Sequence, residues 1–252
     1  MLEFAGQTDV GRRRQLNEDH VFLEQDLFLV CDGMGGHRAG EVASRLAAEV
    51  IAGFVERSAR DQEITWPYGF DPKLTYDANR LRTAIKLANR MVFRKAASAD
   101  DYTGMGTTVA AVIGTRREPR ITYAHVGDSR VYLIRAGAII QLTRDDSLAA
   151  LLSGGDPAAE PAGSTVKNIL TKALGARDDV EFDVVDRMLE DGDHVLICSD
   201  GLTGMLSDAR ILEVVTAHGR DLGACCAELV SRANAEGGRD NISVVLLRHR
   251  LR

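Results

Sequence analysis

Acidic residues in four short segments are the part of this sequence best suited to chemistry. The segments are Asn17-Glu18-Asp19, Asp32-Gly33-Met34-Gly35-Gly36, Ser199-Asp200-Gly201 and Asp240-Asn241. Each carboxylate lies at one end of an apolar run typical of a β-strand, so the carboxylates can meet only if those strands lie side by side. Converging carboxylates repel one another and are costly to bury without a counter-charge. Because oxygen ligands suit Mg²⁺ or Mn²⁺ better than zinc or copper, we expect a metal-dependent hydrolase that acts on phosphate.

Two of these segments share one arrangement, an apolar run that ends in Asp-Gly. Leu29-Val30-Cys31 leads into Asp32-Gly33, and Val195-Leu196-Ile197-Cys198-Ser199 leads into Asp200-Gly201. Each strand would deliver its aspartate to a sheet edge, and the glycine would let a backbone carbonyl approach a cation. Taken singly, a tight turn explains either segment, as capping explains Asp240-Asn241 and a hairpin turn explains Gly127-Asp128-Ser129-Arg130. Taken together, the repeated placement favours a metal site.

The spacing of apolar residues predicts the elements that would position these carboxylates. Strands are expected over 3–8, 21–24, 27–31, 107–115, 120–126, 130–135, 139–142, 181–188, 194–199 and 242–248. Helices are expected over 41–57, 77–97, 147–152, 207–217 and 221–236, with a loop over 58–75 and a surface flap over 154–164. Strands in runs and helices in pairs predict one α+β sandwich of antiparallel sheets covered by helices.

Composition argues against several classes of function. The net charge of −6 and the aromatic content of 5% disfavour a nucleic-acid-binding protein. We expect no membrane span, because no apolar run approaches about 18 residues, and a cytoplasmic protein, because no secretory signal is evident. The four cysteines, at positions 31, 198, 225 and 226, lack C-x-x-C spacing and are expected to be buried thiols.

Seven short motifs follow one another along almost the whole chain. They are Gly11-x-x-Arg14-x-x-Asn17-Glu18-Asp19, Asp32-Gly33-Met34-Gly35-Gly36-His37, Gly104-Met105-Gly106-Thr107-Thr108, Gly127-Asp128-Ser129-Arg130, Leu142-Thr143-Arg144-Asp145-Asp146-Ser147, Ser199-Asp200-Gly201-Leu202 and Asp240-Asn241-Ile242-Ser243. Each is weak alone, but in this order they make the chain resemble the metal-dependent serine/threonine protein phosphatases of type 2C, in their compact bacterial form. The resemblance implies a four-layer α-β-β-α sandwich, two antiparallel sheets flanked by helices. It also implies a single catalytic domain over 1–252 with a flap over 145–170.

The resemblance further implies a centre for two Mn²⁺ or Mg²⁺ ions at one end of the sheets. Asp32 would bridge the two ions, and Asp200 and Asp240 would complete the ligands of the first. The carbonyl of Gly33 would bind the second ion, with Glu18 acting largely through water.

Four further residues have roles implied by the same resemblance. Asp128 matches a position that holds a weaker third metal ion in bacterial members, together with the aspartate that Asp200 matches. Asp19 and Asn241 are expected to support the ligands from behind. Arg14 matches the guanidinium that grips the substrate phosphate, and only the family spacing selects it over Arg12 and Arg13.

These roles are chemically consistent without reference to the family. Two cations about 3.5–4 Å apart lower the pKa of a bridging water, and the metal-bridging hydroxide can attack phosphorus in line. Arg14 offers a planar fork to phosphate oxygens and offsets transition-state charge. Arg14, Asp32 and Glu18 are therefore the expected catalytic residues. Direct hydrolysis without a phosphoenzyme is the implied mechanism.

The sequence departs from the family pattern at two places. Met34 stands where many eukaryotic members carry a histidine proposed as the acid for the leaving group, so water or another residue such as His37 must supply that proton. A solvated loop histidine is the alternative for His37, and His125 is expected to be a hydrogen-bonded core residue. Residues 163–165 replace a His-Pro pair common in the flap of bacterial relatives, which leaves substrate preference open.

The main hypothesis is hydrolysis of phosphoserine and phosphothreonine in proteins by a monomer that opposes a bacterial Ser/Thr kinase. The expected partners are phosphorylated proteins and that kinase, with neither nucleic acid nor membrane. A phosphoprotein-binding module without catalysis is disfavoured, because Asp32, Asp200 and Asp240 are all retained. A hydrolase of small phosphoesters stays open, since specificity resides in the flap and the surface.

Overall fold

The computed structural model describes residues 2–24, 26–36, 39–61, 63–114, 118–153 and 169–250. The strands are β1 (Leu2–Asp9), β2 (Asp19–Glu24), β3 (Leu27–Met34), β4 (Gly106–Thr107), β5 (Val109–Gly114), β6 (Arg120–Val126), β7 (Arg130–Arg135), β8 (Ala138–Gln141), β9 (Val184–Met188), β10 (His194–Cys198) and β11 (Ile242–His249). The helices are α1 (Ala39–Arg60), α2 (Tyr76–Ala96), α3 (Leu148–Leu152), α4 (Asp200–Thr203), α5 (Asp208–His218) and α6 (Leu222–Ala235).

The strands form two antiparallel sheets. One sheet, here the β11 sheet, has the order β1-β11-β10-β7-β8. The other, the β3 sheet, has the order β2-β3-β5-β6-β9, and the short β4 pairs with β3 beside it. Every pair within the two sheets is antiparallel, as the sequence pattern predicts.

Apolar side chains fill three layers between these elements. The central layer lies between the two sheets and includes Phe28 and Val30 from β3 and Val245 and Leu247 from β11. A second layer packs α1 and α2 on the β3 sheet, and a third packs α5 and α6 on the β11 sheet. All eight residues of β11 are buried because both faces of the sheet are covered, which explains the unbroken apolar run over 244–247. The expected α-β-β-α sandwich is thereby confirmed.

Several element boundaries differ from those predicted. The strand expected to end at Cys31 continues to Met34, because Gly33 and Met34 pair with Thr107 and Gly106 of β4. Asp32 thus lies inside a strand, and the prediction that it follows the strand end is wrong. The short helix α4 was not predicted, and the strand expected from residue 181 begins at Val184.

Two expectations from composition are also tested. All four cysteines are buried free thiols, as predicted. Among the described residues, none of the helices is both long and apolar enough to span a membrane. Residues 154–168, which include the predicted flap segment over 154–164, lie outside the described residues.

Candidate metal centre

The acidic segments meet at one end of the two sheets. Asp19 opens β2 and pairs in register with Asp32 of β3. From the other sheet, Asp200 opens α4 directly after β10, and Asp240 lies two residues before β11. Asp128 lies in the turn between β6 and β7. The antiparallel order of the sheets therefore brings together carboxylates from five separate parts of the chain.

The electrostatics of Asp32 show how closely these carboxylates converge. Burial raises the pKa of Asp32 well above its usual value, and the charges of Asp19, Asp200, Asp128 and Asp240 raise it further. Burial also raises the pKa of Asp200, as does Asp240, while a hydrogen bond with Asp32 opposes the shift. Burial, followed by the charge of Asp200, raises the pKa of Asp128 to about 7. Neighbouring carboxylates therefore make Asp32, Asp128 and Asp200 harder to ionise, as expected for a centre that requires a cation.

Several buried carboxylate oxygens have no hydrogen-bond donor. Among the described residues, these are Glu18 Oε1, Asp19 Oδ1 and Asp200 Oδ1. An unpaired buried anion is costly, and divalent cations with oxygen ligands would satisfy these atoms. Within the same ranges, no three or more His, Cys, Asp or Glu side chains already lie in positions that could hold a metal ion. The fit to a divalent metal therefore rests on the unpartnered oxygens and on the concentration of negative charge.

Gly33 and Gly40 leave a space beside the carboxylate of Glu18. A Cβ atom on Gly33 would lie 2.1 Å from the carbonyl oxygen of Gly40 and 2.6 Å from that of Glu18. A Cβ atom on Gly40 would lie 2.4 Å from Glu18 Oε1 and 2.8 Å from the carbonyl oxygen of Gly33. The carbonyl of Gly33 and the Glu18 side chain thus face the same small space. Gly40 was missed from the sequence, although a glycine directly before the helix expected over 41–57 was an available signal.

Hydroxyl groups on neighbouring strands hold the backbone of Asp32. Its amide donates to Thr108 Oγ1 at 3.0 Å. Its carbonyl accepts from the amide of Thr108 and from Thr107 Oγ1, both at 2.8 Å. Thr108 Oγ1 also lies 2.7 Å from Ser129 Oγ, next to Asp128. The aspartate whose pKa is raised by burial and by four neighbouring carboxylates therefore also has its backbone fixed in position.

Asp19, paired in register with Asp32, is held by a serine in β11 and a serine just after β10. Ser199 Oγ donates to Asp19 Oδ2 at 2.7 Å. Burial raises the pKa of Asp19 to about 7, although hydrogen bonds from Ser243 and Ser199 oppose the shift. These contacts join the start of β2 to β11 and to the residue that follows β10.

Arg14 lies at the exposed rim of the cluster. Its Nη2 donates to Asp240 Oδ2 at 2.7 Å, and its Nη1 lies 3.9 Å from Glu18 Oε2. The side chain is 48% exposed and that of Asp240 is 36% exposed. Arg12 and Arg13 are also exposed, but neither side chain forms an ion pair within the described part of the chain. Of the three adjacent arginines, Arg14 is the one directed to the carboxylates.

Asn241 ties the loop that carries Arg14 and Glu18 to the start of β11. Its Oδ1 accepts from the amide of Glu18 at 2.8 Å. Its Nδ2 donates to the carbonyls of Val10 and Leu16 at 3.0 and 2.9 Å. Asn241 is 4% exposed, so these bonds are sheltered from water. The loop over 10–18 therefore takes its shape from a residue more than 220 positions away.

The candidate histidines lie outside this cluster or outside the described residues. His125 Nε2 is 2.7 Å from the carbonyl of Arg144 and 4.0 Å from Asp146 Oδ2. It is hydrogen-bonded as expected, but its side chain is partly exposed, so its placement in the core was wrong. His37 lies outside the described residues. Met34 packs against Gly106, where a Cβ atom would lie 2.9 Å from Met34 Cε.

Known proteins match the chain over nearly its whole length. A family model described as Protein phosphatase 2C matches residues 9–246. Serine/threonine phosphatase stp of Listeria innocua serovar 6a is 38% identical over 255 residues, covering 97% of this chain and 94% of the relative. The crystal structure of the Mycobacterium tuberculosis serine/threonine phosphatase PstP/Ppp superposes with a TM-score of 0.83 at 31% identity, covering 99% of both chains.

A second solved structure bears on the metal centre. It is the catalytic domain of the serine threonine protein phosphatase PstP in complex with 2 manganese ions. It superposes with a TM-score of 0.80 at 32% identity and covers 98% of this chain and 97% of its own. Family match, sequence identity and fold agree, and the chain belongs to the protein phosphatase 2C family.

Proposed function

We propose that this member of the family is a divalent-metal-dependent phosphatase that hydrolyses phosphoserine and phosphothreonine in proteins directly, without a phosphoenzyme. The observation that carries the proposal is the buried convergence of Asp19, Asp128, Asp200 and Asp240 on Asp32. Such a concentration of carboxylates destabilises the protein unless cations balance it. The description of the family model, Protein phosphatase 2C, and the name of the similar serine threonine protein phosphatase PstP support a protein substrate.

The oxygen donors of the centre suit divalent ions, and the similar PstP domain, solved in complex with 2 manganese ions, supports a pair of them. Asp32 would bridge the pair, with Asp200 and Asp240 on one side and the Gly33 carbonyl and Glu18 on the other. Asp128, next to Asp200, would hold a weaker third ion. When bound, two such ions acidify a water molecule and balance the charge of the phosphate.

The remaining chemistry belongs to the side chains. The rigid support of Asp32 by Thr107 and Thr108 keeps the bridging carboxylate fixed through the reaction. Arg14, which contacts Asp240 at the rim, exchanges that partner for the oxygens of an incoming phosphate and orients it. Because Met34 cannot donate a proton, water or another residue such as His37 protonates the departing serine or threonine oxygen.

The physiological role proposed for this activity is to reverse the action of a Ser/Thr kinase in the cytoplasm, with Mn²⁺ or Mg²⁺ as cofactor and a monomer as the active form. The support is the bacterial origin of similar proteins named as serine/threonine phosphatases.

The rival substrate class, small phosphoesters, is tested by comparing substrates. Purified protein with Mn²⁺ would be given phosphothreonine and phosphoserine peptides, free phosphothreonine and a set of sugar and nucleoside monophosphates. The proposal predicts kcat/KM values at least about 100-fold higher for the peptides, because peptide contacts beyond the phosphate add binding energy. Preference for one small phosphoester over every peptide would reject a protein substrate.

A further inference from the structure

A surface groove between α1 and α2 has no part in the proposed chemistry. Its volume is about 520 Å³, and we call it the helix groove. The two helices run antiparallel, since Tyr76 at the start of α2 donates to the carbonyl of Ser58 near the end of α1. The helix groove therefore lies where the first half of α1 meets the last turns of α2.

The floor of the helix groove is apolar. Val42 and Leu46 supply it from α1, one helical turn apart, and Met91 supplies it from α2. Val42 and Leu46 are partly buried against the core, whereas Met91 is 43% exposed. Apolar side chains from both helices thus meet in one groove, and a contiguous apolar surface with a polar rim is characteristic of sites that bind a partner.

The rim of the helix groove is basic. Arg45 and Arg94 are exposed, and neither forms an ion pair with any other described residue. The ammonium of Lys95 lies 4.2 Å from the ring centroid of Tyr102. Glu49 is the carboxylate in the lining, so three cations against one anion leave an excess of positive charge. On a chain with a net charge of −6, this surface selects an acidic partner.

The helix groove begins close to the carboxylate centre. Gly40, in the first turn of α1, lies against Glu18 and the carbonyl of Gly33. Val42, two residues further along α1, is the first residue of this helix that lines the helix groove, and Glu49 is the last. At about 1.5 Å per residue, the helix groove extends from about 3 to about 14 Å beyond Gly40 along the axis of α1. An extended peptide of about four or five residues spans that distance.

We propose that the helix groove docks an acidic segment of the phosphoprotein substrate while the phosphorylated residue occupies the carboxylate centre. Apolar side chains of the segment pack on Val42, Leu46 and Met91, and its carboxylates pair with Arg45 and Arg94. The inference rests on the proposed function for the identity of the partner. It assigns part of substrate selection to a surface outside the metal centre.

The test uses phosphothreonine peptides with one core sequence. A segment of alternating Glu and Leu residues is attached through a short glycine linker to either end, and matched peptides replace every Glu by Lys or every Leu by Ser. We expect the Glu/Leu extension, at one end, to lower KM about 10-fold through ion pairs and apolar contact. This decrease in KM is called the gain. Both matched peptides should lack the gain, and the gain of the Glu/Leu peptide should fall steeply with added salt.

Charge reversal identifies the surface responsible. The double variant Arg45→Glu/Arg94→Glu should abolish the gain and favour the Lys peptide. The control Arg57→Glu/Arg82→Glu, which makes the same charge change on the same two helices outside the helix groove, should keep the gain. Turnover of p-nitrophenyl phosphate and of the unextended peptide should be unchanged in both. Equal KM values for all extensions, or a gain that survives Arg45→Glu/Arg94→Glu, would overturn the proposal.

Two further measurements distinguish failure of the proposed function from failure of the docking proposal, and docking of a substrate from formation of a dimer. If no phosphopeptide is hydrolysed, the proposed function has failed, and fluorescence anisotropy with the unphosphorylated Glu/Leu segment decides docking alone. Binding that is lost only in Arg45→Glu/Arg94→Glu supports the helix groove, and absence of binding rejects it. A dimer that dissociates in this variant, detected by light scattering, would instead assign the surface to a second copy and overturn the proposal.

Discussion

Among the single residues of the centre, Asp32 is the one whose surroundings oppose its ionisation through burial and four neighbouring carboxylates. Burial and four neighbouring carboxylates raise its pKa well above the usual value. Removing this charge relieves repulsion while leaving the backbone bonds to Thr107 and Thr108 in place.

We therefore predict that Asp32→Asn abolishes phosphatase activity but stabilises the metal-free protein. A saturating divalent ion should stabilise the wild-type protein by about 2.7 kcal/mol at 100 times its Kd. For a chain of this size that corresponds to a rise in Tm of roughly 5–10 °C, which the variant should lack. Thermal melts with and without Mn²⁺ check both statements. A variant that retains the Mn²⁺ shift and the activity would remove Asp32 from the bridging role.

Arg14 gives a second prediction at this scale. Arg14→Ala should raise KM for a phosphopeptide roughly 10- to 100-fold with a smaller change in kcat, since a hydrogen bond to a charged group contributes about 1.5–3 kcal/mol. Arg13→Ala is the matched control and should leave both constants unchanged, because its side chain forms no ion pair within the described residues. Steady-state measurement of KM and kcat for the two variants tests this prediction. Equal effects of the two substitutions would show that phosphate is held by general positive charge.

At the scale of elements, the loop over 10–18 depends on the turn before β11. Besides the three bonds of Asn241, the amides of Arg12 and Arg13 donate to the carbonyl of Gly238 at 2.7 and 3.2 Å. A Cβ atom on Gly11 would lie 2.2 Å from the carbonyl oxygen of Asp240, so this position requires glycine. The two segments form one unit that places Arg14 and Asp240 side by side.

Asn241→Ala should therefore weaken both stability and substrate binding. Leaving the amide of Glu18 and the carbonyls of Val10 and Leu16 without partners should cost about 3 kcal/mol in the free energy of unfolding. It should also raise KM several-fold by loosening Arg14. Asn79→Ala is the control, since Asn79 is a buried asparagine bonded to Asp71 far from the centre. Urea denaturation should show losses for both variants, and an unchanged KM in Asn241→Ala would contradict the positioning role.

The sequence predicts the bounds of most elements but not the contacts between elements that are distant along the chain. The period of apolar residues placed β6 and β7 at their observed bounds and most other elements within a few residues, because local burial sets that period. The extension of β3 past Asp32 depends on pairing with β4 about 70 residues away, which no local pattern reports. The bonds of Asn241 and the approach of Gly40 to Glu18 are likewise contacts between distant segments. The motifs identified which residues converge, and only the fold shows how.

At the scale of the whole molecule, the sandwich joins two halves that each supply part of the centre. The β3 sheet contributes Asp19 and Asp32, and the β11 sheet contributes the approaches to Asp200 and Asp240. The central apolar layer holds these halves in register, while α1 connects the same centre to the helix groove. One rigid framework thus supports the metal centre and presents a surface beside it.

The most direct test of the account is hydrolysis of a phosphothreonine peptide by the whole protein with Mn²⁺, with Mg²⁺ and with EDTA, alongside Asp32→Asn. We predict turnover that requires a divalent ion, disappears with EDTA, returns when Mn²⁺ is restored and is absent from the variant. Turnover that persists in EDTA, or a folded protein that binds Mn²⁺ but hydrolyses no phosphopeptide, would contradict the claim that the converging carboxylates form a phosphatase centre.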